Sequence, residues 1–194
     1  MRLAPLCAAL TLCAAFSAHA ASNVALLGTA SQSSYWGSEN DYTRASNAID
    51  GNTDGDYYHK SIQHTNSDAA LPAGNGFAWW QVALDQDYLI DSITIWNRTD
   101  CCTARLREFT VSIFDDDALV WSGSYAEADG PLPSTSFAGI AAVGHTVFVQ
   151  LDRQDYLHMA EVQVFAGPIP EPQTYALMLA GLALVGAVAR RRAA

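Results

Sequence analysis

Apolar and polar residues alternate along the middle of the chain with a period of two. Ile93, Ile95 and Asn97 fall on one side against Ser92, Thr94 and Trp96, and the pattern repeats at Phe109, Val111 and Ile113 and at Val147, Val149 and Leu151. Successive side chains of a strand point to opposite faces, so this alternation predicts strands with one face in a core and the other towards water. Turn formers cluster between them, at Asp50-Gly51-Asn52, Asp115-Asp116-Asp117, Asp129-Gly130-Pro131 and Ala142-Val143-Gly144. No long stretch of the body keeps a helical period. The pattern predicts an all-β fold, an antiparallel β-sandwich, whose functional side chains gather in loops at the ends of the sandwich. Segments 47–64 and 98–105 are the turn-rich places to look.

Hydropathy changes character at both ends. Met1-Arg2, the apolar run Leu3 to Phe16 and the exit Ala18-His19-Ala20 form a secretory signal peptide over 1–20, cleaved after Ala20. Cys7 and Cys13 each follow leucine rather than a small residue, which argues against a lipid anchor. At the far end Pro168-Ile169-Pro170-Glu171-Pro172 breaks regular structure, Tyr175 to Ala189 carries no charge, and Arg190-Arg191-Arg192 follow. This predicts a short C-terminal transmembrane helix over about 173–189 with the arginines on the cytoplasmic side. Its uncharged run reaches roughly 22 Å at about 1.5 Å per residue, short of a hydrocarbon core of about 30 Å unless the arginines snorkel. Residues 22–166 remain as one domain, large enough for its own core.

Charge narrows the partners. The chain carries −10 overall, and four of its ten Lys and Arg, namely Arg2 and Arg190 to Arg192, sit in the ends, so the body is more acidic still. Nucleic acid and anionic lipid both need a basic footprint and are not expected partners; membrane contact comes only through the tail. Two of the four cysteines leave with the signal. The neighbours Cys101 and Cys102 then pair with each other, pair between chains, or stay free.

Two constellations carry chemistry. Asn47, Asp50 and Asn52, followed by Ser61, offer closely spaced oxygens around a glycine, which suits a hard cation such as calcium and equally suits an ordinary Asx turn. In Arg98-Thr99-Asp100-Cys101-Cys102-Thr103-Ala104-Arg105, adjacent cysteines lie between two arginines. Neighbouring Cα atoms about 3.8 Å apart are closer than a relaxed disulfide prefers, so a bond there strains the turn, and such strain tends to mark function. Two guanidinium forks could donate to vicinal hydroxyls with the disulfide as an apolar floor; free thiols beside solvated arginines are the plainer reading.

These residues carry two family resemblances. The Pro-Glu-Pro motif, apolar span and terminal arginines resemble a PEP-CTERM sorting signal, which implies an exosortase partner and processing at the envelope of a Gram-negative, exopolysaccharide-making bacterium, through a transient inner-membrane anchor. The body resembles the F-type (fucose-binding) lectins through Asn23-Val24-Ala25-Leu26, Ala45-Ser46-Asn47-Ala48-Ile49-Asp50-Gly51-Asn52, Tyr57-Tyr58-His59, Ser61, His64, Trp79-Trp80-Gln81-Val82, Asn97-Arg98, Asp100-Cys101-Cys102, Arg105 and Glu161-Val162. That resemblance implies a discoidin-like jelly roll binding terminal L-fucose on a fucosylated glycan or exopolysaccharide, without hydrolysing it. Carried over by position, it assigns the sugar to His64, Arg98 and Arg105, with a Cys101–Cys102 disulfide against one face of the ring. Tyr57, with Tyr35 or Trp36, would line a slot for the sugar methyl. A structural calcium falls on Asn47, Asp50, Asn52, Ser61 and Glu161, with the backbone carbonyl of Ala160.

The chain departs from the family in three places. The segment Asp68 to Ala78 is longer than the family's, which makes His59 a competitor to His64; Ile62 and Ala160 stand where the family often has a cysteine pair; and the loop Tyr35 to Tyr42 does not align. Trp79-Trp80 reads as strand and core rather than a stacking platform, and Asp115 to Asp117 as a solvated hairpin turn. His145 and His158 have no partner visible in the sequence. A glycoside hydrolase would need two carboxylates about 5–9.5 Å apart across a sugar, and no acidic pair stands in such a context. A matrix or adhesion protein without sugar binding is the other rival.

Overall fold

The computed structural model describes residues 22–67, 77–167 and 172–193. The expected signal peptide, the stretch 68–76 after His64, and 168–171 of the Pro-Glu-Pro segment lie outside the described residues. Eight strands follow in order: β1 (Ser22–Asn23), β2 (Thr29–Gln32), β3 (Gln63–Ser67), β4 (Trp79–Asn97), β5 (Phe109–Asp115), β6 (Ala118–Tyr125), β7 (Ser134–Leu151) and β8 (Tyr156–Gly167). Every pairing is antiparallel, in the order β1-β8-β4-β7-β5-β6, with β2 added beside β4 and β3 beside β8.

One hydrogen-bonded network becomes two layers because β4 and β7 bend together. Register shifts interrupt their pairing between Ala83 and Tyr88 and between Ile90 and Ser92. Before the bend, Trp79–Ala83 pairs with β2 and with the end of β7; after it, Ser92–Trp96 pairs with β8 and the start of β7. Bulges of this kind turn a strand from one layer into the next. The alternating residues then meet across the interior: Trp80, Val82, Val111, Ile113, Val147 and Val149 from one layer, and Ile93, Ile95, Val162 and Val164 from the other, all without solvent exposure. Each such aliphatic side chain contributes about 1.5–3 kcal/mol on burial. The antiparallel all-β sandwich is the fold the pattern predicts.

Three sequence expectations need correction or division. Ala142-Val143-Gly144 is not a turn but part of β7, paired with Ile90, Leu89 and Tyr88. It lies at the bend, where a Cβ on Gly144 would come within 2.7 Å of the Phe114 carbonyl oxygen, so the glycine permits close strand approach rather than chain reversal. The tryptophan pair divides: Trp80 is fully buried and its indole N–H donates to the Ala45 carbonyl, whereas Trp79 faces outward and stacks on Phe148. The C-terminal segment forms the helix α1 (Pro172–Ala193), yet among the described residues no helix is long and apolar enough to cross a membrane. The transmembrane span expected over 173–189 is corrected to that extent. Alanines and glycines supply much of α1, and each adds little apolar area.

Candidate functional site

At one end of the sandwich a pocket of about 350 Å³ is lined by Trp36, Tyr57, Tyr58, His64, Arg98, Cys101, Arg105 and Tyr156. Three loops and the edge strand β3 converge on it. The loop leaving β4 is held from within: Asn97 is buried, and its amide donates to the carbonyls of Thr103 and Pro131 at 2.9 and 3.0 Å. A second loop docks against it at Gly55, whose carbonyl accepts from the Thr99 N–H at 2.8 Å. A Cβ at Gly55 would lie 2.4 Å from Thr99 Oγ1, so the two loops can meet this closely only at glycine.

The arginines are positioned by their neighbours. Arg98 forks onto Asp100, Nε to Oδ1 at 2.7 Å and Nη2 to Oδ2 at 2.8 Å, and its guanidinium lies 4.7 Å from the centre of the Tyr57 ring. The hydrogen bonds from Arg98 hold the Asp100 carboxyl below the usual carboxylate range. Arg105 sits 4.5 Å over the Tyr156 ring with Asp155 3.9 Å from its Nε. Asp155 in turn accepts from Arg153 Nη1 and from the Tyr156 N–H. Both guanidinium planes are thus fixed by a carboxylate and an aromatic face, with donors left over for a ligand.

His64 is 2% exposed and its Nδ1 stands 2.7 Å from the Thr65 carbonyl oxygen. A carbonyl can only accept, so Nδ1 carries the proton and Nε2 is an acceptor. Burial, reinforced by the charges of Arg98 and Arg105, pushes the imidazole down to about 4, so it is neutral at ordinary pH. His158 is its cross-strand partner on β8, with ring centroids 5.3 Å apart. Completely buried, His158 has no hydrogen-bond partner at either nitrogen among the described residues and is held neutral by that burial.

Cys101 and Cys102 are bonded to each other, with Cys102 in the left-handed region at φ 58°. Cys101 lines the pocket; Cys102 is exposed behind it. Of the residues assigned to the sugar, the structure therefore brings His64, Arg98, Arg105, Cys101 and Tyr57 around one space. Trp36 joins them and Tyr35 does not. His59 lies apart, exposed, with Nδ1 2.6 Å from Asp54. Tyr58 and Tyr156 were missed by the sequence reading: Tyr156 reaches the pocket only because β8 pairs it with Ser67 of β3, a contact no local pattern announces.

The residues assigned to calcium gather where β8 passes the Asn47–Asn52 turn. Glu161 is fully buried; Oε1 accepts from the Gly51 N–H at 3.2 Å, and Oε2 has no partner among the described residues. Burial, and secondarily the neighbouring Asp50, raise its carboxyl to about 8. A buried acceptor with no donor beside a second carboxylate is what a hard cation would relieve, so this pair fits calcium. The other assigned side chains already hold the loops: the Asn47 amide donates to Asp41 and Ile62, Asn52 accepts from the Asp54 N–H, and the Ser61 hydroxyl donates to Asp54 and Asp56. Ala160, beside Glu161, and Ile62, just before β3, are both fully buried. A separate group, Asp87, Asp115 and His145, has its ligand atoms within 4.8 Å of one another on β4, β5 and β7, with His145 Nδ1 2.9 Å from Asp87.

A family model described as the NedA-like, galactose-binding domain matches residues 47–143, half of the chain, and the PEP-CTERM protein-sorting motif matches 168–192. Fucolectin-6 of Anguilla japonica is 36% identical over 158 residues, 74% of this chain and 75% of that protein. Fucolectin of Anguilla anguilla is 34% identical over 157 residues, 73% of this chain and 89% of its own length. A fucose-binding module of Streptococcus pneumoniae superposes with a TM-score of 0.65 at 30% identity, over 75% of this chain and 98% of that one. The family 32 carbohydrate-binding module of C. perfringens NanJ, solved with galactose, shares the fold at a TM-score of 0.56 and 21% identity over 75% and 98% of the two chains. The chain belongs to the NedA-like, galactose-binding domain family together with the fucolectins, and it carries a PEP-CTERM protein-sorting motif at its C-terminus.

Proposed function

We propose that the sandwich is a lectin for terminal L-fucose, held in the pocket by His64, Arg98 and Arg105. The observation that carries this reading is the polarity of the pocket: one neutral imidazole acceptor, Nε2, faces two guanidinium donors. Adjacent sugar hydroxyls each donate one hydrogen bond and accept others, so an imidazole acceptor in one pocket with two guanidinium donors suits a vicinal diol and ring oxygen. The disulfide at Cys101 and the faces of Tyr57 and Trp36 supply apolar walls, the latter for the sugar methyl. Asp100 and Asp155 are engaged with arginines, and among the described residues the lining contains no carboxylate. Hydrolysis by an acid and nucleophile pair finds no support there.

Calcium at Asp50 and Glu161 would tie the Asn47–Asn52 turn to β8 and so stiffen the loop that carries Tyr57. The export signal over 1–20 and the sorting motif support delivery to the envelope or exopolysaccharide matrix, with an exosortase acting on the tail. Titration calorimetry of L-fucose and D-galactose tests the central reading: fucose binds in the millimolar to micromolar range and galactose more weakly. Equal affinity for the two sugars would refute the assignment of the methyl slot.

A further inference from the structure

His158 lies beneath the pocket on β8, directly opposite His64 of β3. Directly opposed residues of an antiparallel pair project to the same face, so its imidazole points the way His64 points, towards the pocket. On the other side of β8, Met159 stands opposite Asn97, the last residue of β4, so Arg98 follows beside His158. The two histidine rings have centroids 5.3 Å apart and planes 38° apart, and His158 has no solvent exposure.

Among the described residues four aromatic rings pack around His64. Trp36, Tyr57 and Tyr156, with centroids at 5.4, 6.2 and 5.6 Å, all line the pocket. His158 is the nearest of the four and backs the His64 ring from inside the sandwich. Neither of its nitrogens has a hydrogen-bond partner among the described residues. Buried polar groups in that condition are rare, and an apolar side chain of similar shape in such a place is neutral or stabilising. The fold alone therefore gains nothing from an imidazole here. Exceptions of this kind to the packing rules gather at functional sites. Gln63, buried and likewise unpartnered at both amide atoms, projects to the opposite face of β3 from His64 and so away from the pocket.

The charges that bear on His158 are those of Arg98 and Arg105. A neutral imidazole has one N–H and one lone pair, and side-chain dipoles turn to the local field, so the lone pair is drawn to the side of the two guanidinium groups. A carboxylate in that place would pair with the arginines and take up donors that the sugar needs, whereas a hydrocarbon would offer them nothing. We propose that His158 is a positioning residue of the sugar site: it backs the His64 ring so that Nε2 stays open to the pocket, and it steadies Arg98 and Arg105 without occupying their donors. Having no exposed surface, it acts through these three residues rather than on the sugar. The proposal rests on the reading of the pocket as a fucose site.

The test is His158→Leu, with His158→Gln beside it because glutamine keeps a donor and an acceptor. Calorimetry reads fucose affinity, thermal melting reads stability, and imidazole nitrogen NMR reads the His64 tautomer, which needs no sugar. In the wild type His64 shows the single Nδ1–H tautomer. His158→Leu melts no lower than the wild type, mixes the two His64 tautomers, and weakens fucose binding about fivefold or more, the fold-change of one ordinary hydrogen bond. His158→Gln recovers part of that affinity. If His158→Leu does not fold, His158→Met takes its place with the same expectations. The proposal is overturned if no apolar variant folds, if the apolar variant keeps wild-type fucose affinity, or if its His64 keeps the single tautomer. It is also overturned if affinity falls only in step with melting temperature in the apolar and Gln variants alike, because the residue then serves packing. A wild type that binds no fucose would refute the sugar reading instead, and the His64 tautomer then decides this proposal by itself.

Discussion

Acidification separates a buried neutral His64 from an ordinary surface histidine. In this structure His64 donates from Nδ1 to Thr65, accepts at Nε2, and is pushed down to about 4 by burial and by Arg98 and Arg105. Protonation would convert that acceptor into a donor and a third cation in a pocket that already holds two guanidinium groups. A ligand that needs the neutral form loses apparent affinity by the factor 1 + 10^(pKa − pH). With a value near 4 that factor stays close to one at pH 5.5, whereas a histidine titrating near 6.5 would weaken binding about tenfold between pH 7.5 and 5.5. Fucose affinity measured by calorimetry at pH 7.5, 6.5, 5.5 and 4.5, with calcium saturating and the fold checked by circular dichroism, is therefore expected to be flat to pH 5.5 and to decline only below about 4.5. Stability follows the same sign. The folded value lies below the unfolded one, so the stability tied to a neutral His64 is complete above about pH 6.5 and falls as pH drops towards 4, by at most about 3 kcal/mol. A tenfold loss of fucose affinity by pH 5.5 with the fold intact would refute the buried-acceptor geometry.

Four further outcomes follow from the same residues. Arg105→Ala weakens fucose binding at least about tenfold in calorimetry with little change in melting temperature, because a charge-assisted hydrogen bond contributes roughly 1.5–3 kcal/mol and Arg105 is partly exposed. Gly55→Ala lowers fucose affinity as well, although Gly55 lines no part of the pocket, since its Cβ displaces Thr99 and with it the Arg98 loop; unchanged binding would show that the loop yields freely. Calcium raises the melting temperature measured by calorimetric scanning, and Glu161→Gln removes that response; a melting curve indifferent to both calcium and chelator would sink the assignment of Asp50 and Glu161. Mass spectrometry of the envelope form from its host finds the chain ending before Arg190, and an intact Arg190–Arg192 there would count against exosortase processing.

The alternating segments were enough to place the sandwich, because a strand's side chains obey a period of two wherever one face is buried. The motif Arg98 to Arg105 was legible for a similar reason: its donors and its two cysteines are neighbours in the chain, so spacing brings them to notice, although the bond between Cys101 and Cys102 was implied only by the family resemblance. Turn formers misled at Ala142-Val143-Gly144, because a glycine that admits Phe114 of a neighbouring strand looks the same in sequence as one that reverses the chain. Which histidine joins the arginines, why Tyr156 stands beside them, and which of Trp79 and Trp80 faces outward were decided only by tertiary structure. His59 and His64 are both polar residues in a turn-rich segment, and the pairing of β3 with β8 brings one under the arginines while the other stays in solvent against Asp54. The same pairing sets His158, which has no partner visible in the sequence, directly opposite His64. Local pattern specifies which way a side chain points from its own strand; only strand register decides which other side chains it meets there.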